Sequence, residues 1–458
     1  MCRKPSSARR RGVTRRGFLA ATAAAGAVAA GGYVATRRLF DDSNAQPDLI
    51  PGEPLALTPA GKLLDTDFPD PFAGGEYLGH LPFLREAEND PVQPGQRVGK
   101  GHNARRIIDL ASLLTPEGRK TPADLFYIRT EYPDQLQAPP EWTISIEGEV
   151  KEPKKIPLKD LLPAVESQGP VLLECSGNAR DLRYGLVSVA DWAGISMKEI
   201  IKQAQPTSKA HSILIGGYDE DSHLPLTQPP YKTNSWPTCS WIFTIGQLLE
   251  AGAFLATQLN GVPLPQDQGA PVRLVVPGWY GCVEVKWVNQ IKFVDGNQPT
   301  TLQMQEFASR TFQKMRLDES NPQPPGLAPE LARDYRPATI DQVAIPVRAE
   351  AWRLNGKIEY RVLGITWGGP NRTDKLQIRF LHGNTPKFEP VQFCQSKTSC
   401  PAYGIWCHRW QPKLRGGYWI EMRLGDRKVR ARKMSTPTPV SRDRSVSYHA
   451  RSVNVRLL

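Results

Sequence analysis

The chain has 458 residues, which is enough for two or three domains, and its apolar content of 40% is sufficient for large cores. Its 42 prolines favour loops, turns and β-structure over long helices. The net charge of +12 does not indicate a nucleic-acid-binding protein, because residues 1–40 carry nine lysines and arginines and no acidic residue. The rest of the chain is close to neutral, and we expect no nucleic-acid partner.

Residues 1–45 have the features of a twin-arginine export signal. A basic region runs into Arg15-Arg16-Gly17-Phe18-Leu19 and then into an alanine-rich, weakly apolar stretch. This route carries folded proteins, so it suits a protein whose cofactor is inserted before export. We expect a periplasmic or otherwise exported protein. Cleavage after Ala45 and retention of the segment as a membrane anchor both remain open.

Six cysteines follow the signal, at positions 175, 239, 282, 394, 400 and 407. They form no CxxC pair, which leaves zinc ribbons and thioredoxin-like redox sites without support. The sequence has no CxxCH motif either, so no haem is expected in this chain. Cys394, Cys400 and Cys407 are close in sequence, and an exported chain could oxidise two of them. Three buried thiols are the alternative.

Residues 46–123 are rich in proline, glycine and aspartate, and they predict an extended arm wrapped around a core. The hydrophobic pattern becomes denser over 124–315. There, Trp142, Ile144 and Ile146 alternate with polar residues, which predicts a strand. Short apolar runs predict buried strands at Val171–Cys175, Ser212–Gly217 and Val272–Pro277.

Two short sequence patterns in this region predict a helix start and a hairpin turn. Ser196 and Glu199 form a capping-box pattern that predicts a helix extending to about Ala204. Asn260-Gly261 between two apolar runs predicts a hairpin turn. Helices and strands alternate irregularly, so an α+β fold is favoured over a doubly wound sheet.

A proline-rich linker at residues 316–337 precedes a second domain at 338–458. Short strands separated by turn residues predict a β-sandwich there. They are predicted at Pro346–Leu354, Lys357–Thr366, Leu376–Phe380, Tyr418–Leu424 and Lys428–Met434. The last 46 residues hold twelve lysines and arginines against three acidic residues. This excess fits solvated strand edges, or a docking surface for an acidic electron carrier.

The sharpest chemical feature is Cys175, which ends a predicted buried strand and begins the segment Cys175-Ser176-Gly177-Asn178-Ala179-Arg180. A thiolate is a soft ligand for a transition metal, and a nearby cation lowers the pKa of a thiol. A nucleophilic-cysteine enzyme is a rival interpretation, although no histidine lies nearby in sequence. From spacing alone, an inert buried cysteine is an equal alternative.

The segment Cys175-Ser176-Gly177-Asn178-x-Arg180 resembles the Cys-(Ala/Ser)-Gly-Asn motif of the sulfite oxidase family of molybdenum enzymes. Other segments resemble that family in the same order along the chain. They are Leu125–Arg129, Trp192-Ala193-Gly194, Leu259–Pro265, Pro271–Gly278 and Val285-Lys286-Trp287. The resemblance covers residues 120–455, and from about residue 338 it is to the family's immunoglobulin-like dimerisation domain.

The resemblance implies an α+β domain that binds a molybdenum–molybdopterin cofactor, with Cys175 as the protein's single thiolate ligand to the metal. Arg129 and Arg180 would join Cys175 as catalytic residues. A pterin phosphate is close to dianionic and needs fixed cations, and arginine forks also suit an anionic substrate. Cofactor contacts are implied for Phe126, Arg129, Glu131, Cys175, Arg180, Asp219, Gln268, Arg273 and Lys286.

The chain departs from the sulfite-oxidising members of that family at positions expected near the metal. Glu131 and Gln268 stand where those members have histidines, and a tyrosine is replaced near Phe312. Two lost imidazoles and a gained carboxylate make the pocket less favourable to an anion. We therefore expect weak sulfite oxidation and a preference for a sulfoxide or an organic sulfur compound. Cys282 is expected close to the site as an inert side chain.

The sequence thus favours an exported molybdenum oxidoreductase that transfers an oxygen atom to or from a small sulfur compound or oxyanion. Electrons would be exchanged with a separate carrier such as a cytochrome, and the C-terminal domain would form a homodimer. The alternative is a molybdopterin-fold protein that has lost catalysis and serves as a binding or assembly subunit. The altered histidine positions motivate that alternative.

Overall fold

The computed structural model describes most of the chain after residue 48. The described residues are 49–55, 70–84, 92–100, 103–115, 119–130, 140–179, 182–217, 239–301, 303–304, 307–313, 334–369, 371–383, 386–394, 402–426, 429 and 451–455. The predicted export signal, most of the proline-rich linker and most of the predicted strand Lys428–Met434 lie outside these ranges.

Regular structure in the described ranges is mostly strand. The first fourteen strands are β1 (Glu76–Leu81), β2 (Val98–Lys100), β3 (Asn103–Arg106), β4 (Ile128–Thr130), β5 (Thr143–Gly148), β6 (Lys154–Pro157), β7 (Glu166–Glu174), β8 (Val187–Ser196), β9 (Ser212–Gly217), β10 (Ser240–Thr244), β11 (Phe254–Leu259), β12 (Val262–Pro263), β13 (Arg273–Val275) and β14 (Val288–Val294). The next eight are β15 (Val343–Leu354), β16 (Lys357–Trp367), β17 (Leu376–Leu381), β18 (Glu389–Pro390), β19 (Gln392–Phe393), β20 (Tyr403–Trp410), β21 (Gly416–Leu424) and β22 (Arg451–Val455).

The α-helices are short: α1 (Leu158–Leu161), α2 (Met197–Ala204) and α3 (Ile245–Glu250). Helix α2 begins where the sequence predicts, because the Ser196 hydroxyl accepts a hydrogen bond from the Glu199 N–H at 3.3 Å. Within the described ranges, no helix combines the length and the apolar character needed to cross a bilayer.

Strands β5 to β14 build two five-stranded sheets. One has the order β10-β9-β14-β5-β6 and includes the parallel pair β5 and β14. The other has the order β12-β11-β8-β7, with β13 added to β11. Strands β5, β7, β9 and β13 confirm the strand predictions for this region. The pairing of Leu259 with Val262 confirms the hairpin turn at Asn260-Gly261.

Strands β15 to β22 form two antiparallel sheets, in which β1 is also incorporated. Their orders are β1-β15-β16-β20-β19 and β18-β17-β21-β22. A shared apolar core joins them and includes Tyr360 and Trp406 from the first sheet and Ile420 and Val453 from the second. The immunoglobulin-like type of this unit stays a prediction.

The segment before residue 124 contributes strands both to the sheets of residues 343–455 and to a small sheet next to the residue 130–302 region. Strand β1 pairs along β15, whereas β2 and β3 continue into β4. A disulfide joins Cys394 to Cys407, and Cys400 lies outside the described residues.

A cleft of about 640 Å³ lies between the sheets formed by β5 to β14 and those formed by β15 to β22. Its lining residues include Leu172, Trp279 and Arg372.

Candidate functional site

Cys175 follows β7 directly and starts a tight turn. Its N–H donates to the Leu186 carbonyl at 3.0 Å, and its carbonyl accepts from the Asn178 N–H at 3.0 Å. The Gly177 N–H points at the sulfur, with a nitrogen-to-Sγ distance of 3.4 Å. The side chain is half-buried. A strand end and three backbone hydrogen bonds therefore fix the thiol in one orientation, as a metal ligand requires.

Asn178 ties this turn to the chain that leaves it. Its Oδ1 accepts from the Leu186 N–H at 3.0 Å, and its Nδ2 donates to Glu174 Oε1 at 3.2 Å. Both polar side chains are buried. The asparagine of the motif therefore acts on the geometry of the turn, since it links the residue before Cys175 to the returning strand.

Two buried groups lie close to the Cys175 thiol. Burial raises the pKa of Tyr127 well above its usual value of 10, and the negative charge of Cys175 adds to this rise. Burial also raises the pKa of the Cys282 thiol, with a further contribution from Cys175 and an opposing hydrogen bond from Ser176. Both groups are therefore protonated at neutral pH, which agrees with the prediction of an inert Cys282 near the site.

Lys286 is half-buried, and its amine is hydrogen-bonded to two neighbouring groups. Its Nζ donates to Thr130 Oγ1 at 2.6 Å and to the Asp267 carbonyl at 2.5 Å. Burial lowers the pKa of Lys286 to about 7, and the charge of Arg273 lowers it further, while Asp267 and the thiols of Cys239 and Cys175 oppose the change. The positive charge is therefore poorly compensated by the described residues around it.

Arg273 is buried on β13 and is held on both sides. It donates to the Gln268 carbonyl at 3.2 Å, to Gln268 Oε1 at 3.3 Å and to the Glu284 carbonyl at 3.2 Å. The Glu284 carboxylate lies 3.6 Å from the guanidinium. Burial raises the pKa of Glu284, and Arg273 counteracts the rise. Gln268 also donates to the carbonyl of Tyr127, the residue before β4, at 2.9 Å. Gln268 therefore links Arg273 to the start of β4.

The structure describes only some of the other predicted site residues. Arg129 is half-buried on β4 and precedes Thr130, whose hydroxyl accepts a hydrogen bond from Lys286. Phe126 is fully buried, and its ring packs edge-on against Trp192 in the core. Glu131, Arg180 and Asp219 lie outside the described residues.

Sequence reasoning missed two residues that contact the turn. Arg310 donates to the Ser176 carbonyl and stacks over Tyr280. Trp367, at the end of β16, donates from Nε1 to Glu174 Oε2 at 2.8 Å. Both are distant from Cys175 in sequence, and neither belongs to a motif that could have indicated the contact.

These residues fit a metal-bound anionic cofactor. A transition metal needs a fixed, polarisable anionic ligand, and the Cys175 thiol is held in this way. An anionic phosphate near Lys286 would compensate the charge that burial destabilises there. In the described ranges, no group of three or more histidine, cysteine and acidic side chains could hold a metal ion.

Comparison with known proteins identifies the domain that contains this site. Residues 130–302 match the model of the oxidoreductase molybdopterin binding domain. The methionine-sulfoxide reductase catalytic subunit MsrP of Xanthomonas axonopodis pv. citri is 31% identical over 216 residues, which are 46% of this chain and 64% of that protein. The NADPH nitrate reductase of Leptosphaeria maculans is 29% identical over 372 residues, which are 77% of this chain and 38% of that protein. The chain therefore contains a molybdopterin-binding oxidoreductase domain of the sulfite oxidase family at residues 130–302.

The fold is consistent with this family. The sulfane dehydrogenase SoxCD from Paracoccus pantotrophus superposes with a TM-score of 0.56 and 16% identity, over 82% of this chain and 96% of that one. This likeness concerns the fold. The chain spans less than two thirds of the length of either curated relative.

Proposed function

We propose that this molybdopterin oxidoreductase is an exported enzyme that transfers an oxygen atom to or from a small sulfur compound. The observation that carries the proposal is the Cys175 thiol, fixed at the end of β7 in the same domain as the buried Arg273 and the half-buried Lys286. For a sulfoxide, the overall reaction consumes two electrons and two protons and yields a sulfide and water.

The chain's own residues would hold the cofactor and the substrate. A bound molybdenum–pterin group supplies two-electron redox chemistry with exchange of an oxygen atom. Cys175 would bind the metal as a thiolate. Lys286 would bind an anionic part of the pterin, and Arg273 would support it from the buried side. Arg129 and Arg180 would orient the polar oxygen of the substrate.

The choice of a weakly charged sulfur compound has an electrostatic reason. Gln268 is neutral and is committed to Arg273 and Tyr127, so it adds no charge to the pocket. By Coulomb's law, each cation missing at ~5 Å costs a dianion about 2 kcal/mol at the dielectric constant of water and about 7 kcal/mol at an effective dielectric constant near 20. The names of two similar proteins, a methionine-sulfoxide reductase and a sulfane dehydrogenase, support a sulfur substrate.

The decisive experiment measures metal and turnover together. Protein matured in a molybdopterin-competent host should contain molybdenum and reduce methionine sulfoxide with a reduced dye faster than it oxidises sulfite. Cys175→Ser should keep the fold, abolish turnover and change the molybdenum spectrum. Cys282→Ala is the matched control, because it removes the neighbouring thiol and should retain the metal.

Each result has a distinct meaning. Full turnover and an unchanged spectrum in Cys175→Ser would refute the ligand assignment. Sulfite oxidation with a micromolar KM would refute the substrate preference. Molybdenum without turnover on any substrate tested would favour the binding or assembly subunit.

The proposal extends to location and partners. A separate electron carrier is supported by the description of the Xanthomonas relative as a catalytic subunit.

The two C-terminal sheets are proposed to be an immunoglobulin-like unit that forms a homodimer, which light scattering would detect as a doubled mass. Replacing Arg15 and Arg16 with lysines should retain the protein in the cytoplasm, and normal export of that variant would refute the twin-arginine route.

A further inference from the structure

The turn that carries Cys175 receives a hydrogen bond from the C-terminal sheets. Glu174, the residue before Cys175, is fully buried. Its Oε1 accepts from Asn178 at 3.2 Å within the turn, and its Oε2 accepts from Trp367 Nε1 at 2.8 Å. Trp367 is also fully buried and ends β16. One carboxylate therefore joins the motif asparagine to a residue nearly 200 positions further along the chain.

A second contact from the C-terminal sheets reaches the segment that returns from the turn, residues 182–186. Arg451 of β22 donates through Nη2 to the Arg183 carbonyl at 3.0 Å and through Nη1 to the Pro346 carbonyl at 3.0 Å. The guanidinium also lies over the Tyr184 ring, 5.7 Å from its centre. Arg451 and its bond to Pro346 are buried, and its bond to the half-buried Arg183 is partly shielded from water.

The return segment has a backbone that needs such support. Arg183 and Tyr184 both have left-handed φ angles, of 50° and 58°. Residues with side chains adopt this conformation only where their surroundings impose it. The return segment in turn fixes the turn, since the Tyr184 N–H donates to the Ala179 carbonyl at 2.9 Å and the Leu186 carbonyl accepts from Cys175.

We infer that Trp367 and Arg451 are positioning residues for the Cys175 turn, so that the C-terminal sheets form part of the active-site scaffold. Trp367 fixes the residue before the ligand, and Arg451 fixes the segment that closes the turn. Both act through other residues: a buried carboxylate for Trp367 and a strained backbone for Arg451. The inference rests on the proposed function only in treating Cys175 as the metal ligand.

Hydrogen exchange tests the inference without the cofactor. In the full-length, cofactor-free chain, Trp367→Phe should speed the exchange of the amides of Cys175, Asn178 and Leu186 by about tenfold or more, because a buried carboxylate loses a donor. Trp406→Phe is the matched control: its indole donates to the Ile365 carbonyl at 3.2 Å, away from the turn. It should leave these amides within about twofold of wild type.

Arg451→Lys tests the second contact, because a lysine keeps the charge and cannot bond in two directions with a planar fork. It should speed the exchange of the Tyr184 and Leu186 amides. Arg423→Lys is its control, since Arg423 lies on the adjacent strand β21, where it is hydrogen-bonded to Gln377 and lies over the Phe388 ring, 4.3 Å from its centre. Exchange that is unchanged in both test variants, or raised equally in the controls, would overturn the inference.

A spectroscopic measurement on the molybdenum-loaded protein adds an independent readout. Trp367→Phe should shift the Mo(V) resonance and the reduction potential, whereas Trp406→Phe should not. If Trp367→Phe proves unstable, Glu174→Gln tests the same link from the other side, because an amide cannot accept from both Asn178 and Trp367. Wild-type protein without molybdenum would refute the proposed function, whereas the exchange experiment would still decide the inference.

Discussion

Lys286 is the residue whose charge depends most directly on what occupies the site. The side chain is half-buried, and loss of solvation, followed by the charge of Arg273, lowers its pKa to about 7 from a usual value of 10.5. In the unfolded chain the amine holds its proton up to about pH 10.5. Between these two values the unfolded state binds more protons than the folded state, so Lys286 makes stability increase with pH across that window.

We predict that Lys286→Met removes this dependence in the cofactor-free protein. The free energy of unfolding of wild type, relative to Lys286→Met, should rise between pH 7 and pH 10 by up to about 1 kcal/mol per pH unit. Denaturant unfolding at several pH values measures it, with Lys292→Met on β14 as the control. A difference that stays flat over this range would contradict the lowered pKa.

At this scale the sequence predicted residues that the structure brings into one domain, and their roles in a site stay predictions. Motif positions identified Cys175, Arg273 and Lys286, all of which the structure places in one domain. The resemblance implied that Arg273 contacts the cofactor, and it did not show that the guanidinium is also hydrogen-bonded to Gln268 and Glu284. Such pairing depends on contacts between separate strands, which residue spacing does not encode.

At the scale of elements, Gly217 allows the end of β9 to approach the segment before β14 that bears Lys286. A Cβ at this position would lie 2.2 Å from the Lys286 carbonyl and 3.0 Å from Val285 Cγ1. No side chain fits at the first distance, so the two backbones must separate. Gly269 packs on the other side, where a Cβ would lie 2.9 Å from Lys286 Cβ. Two glycines therefore set the position of the amine.

We predict that Gly217→Ala lowers the free energy of unfolding by on the order of 1–3 kcal/mol and weakens cofactor retention, because the shifted backbone displaces Lys286. Thermal unfolding and molybdenum content measure the two effects. Gly246→Ala is the control, since the nearest atom to its added Cβ is 4.0 Å away. Equal stability of the two variants would show that the approach at Gly217 is not tight.

Local patterns predicted the elements whose signals are contained in a few residues. Ser196 caps α2, and Asn260-Gly261 turns β11 into β12, because caps and hairpins are built from neighbours in sequence. Strands β1 and β20 were not predicted. Strand β1 pairs with β15, more than 260 residues away, and such a pairing is set by the packed sheet and not by the hydrophobic pattern of either strand.

At the scale of the whole molecule, one buried arginine joins the N-terminal arm to the C-terminal sheets. Arg361 on β16 forms ion pairs with Asp70 at 2.8 Å and with Glu350 at 2.7 Å. It also donates to the Leu55 carbonyl at 3.0 Å, while the Leu55 N–H donates to Glu350 at 2.7 Å. All three charged side chains are almost completely buried. The arm is therefore attached to the C-terminal sheets by a buried network of ion pairs and hydrogen bonds that excludes water.

We predict that Arg361→Met costs about 3–5 kcal/mol of unfolding free energy, because it leaves two buried carboxylates without their cation. Limited proteolysis should then cut the arm between residues 49 and 84 sooner than in wild type, since the arm loses its attachment before the sheets unfold. Arg409→Met is the matched control: it breaks a pair with Glu359 in which the arginine is 50% exposed. Exposed pairs contribute roughly 0–1 kcal/mol, so the control should lose little stability and keep the arm protected. If the two variants lose equal stability and expose the arm at equal rates, the buried network does not hold the arm, and the pairing of β1 with β15 must be sufficient by itself.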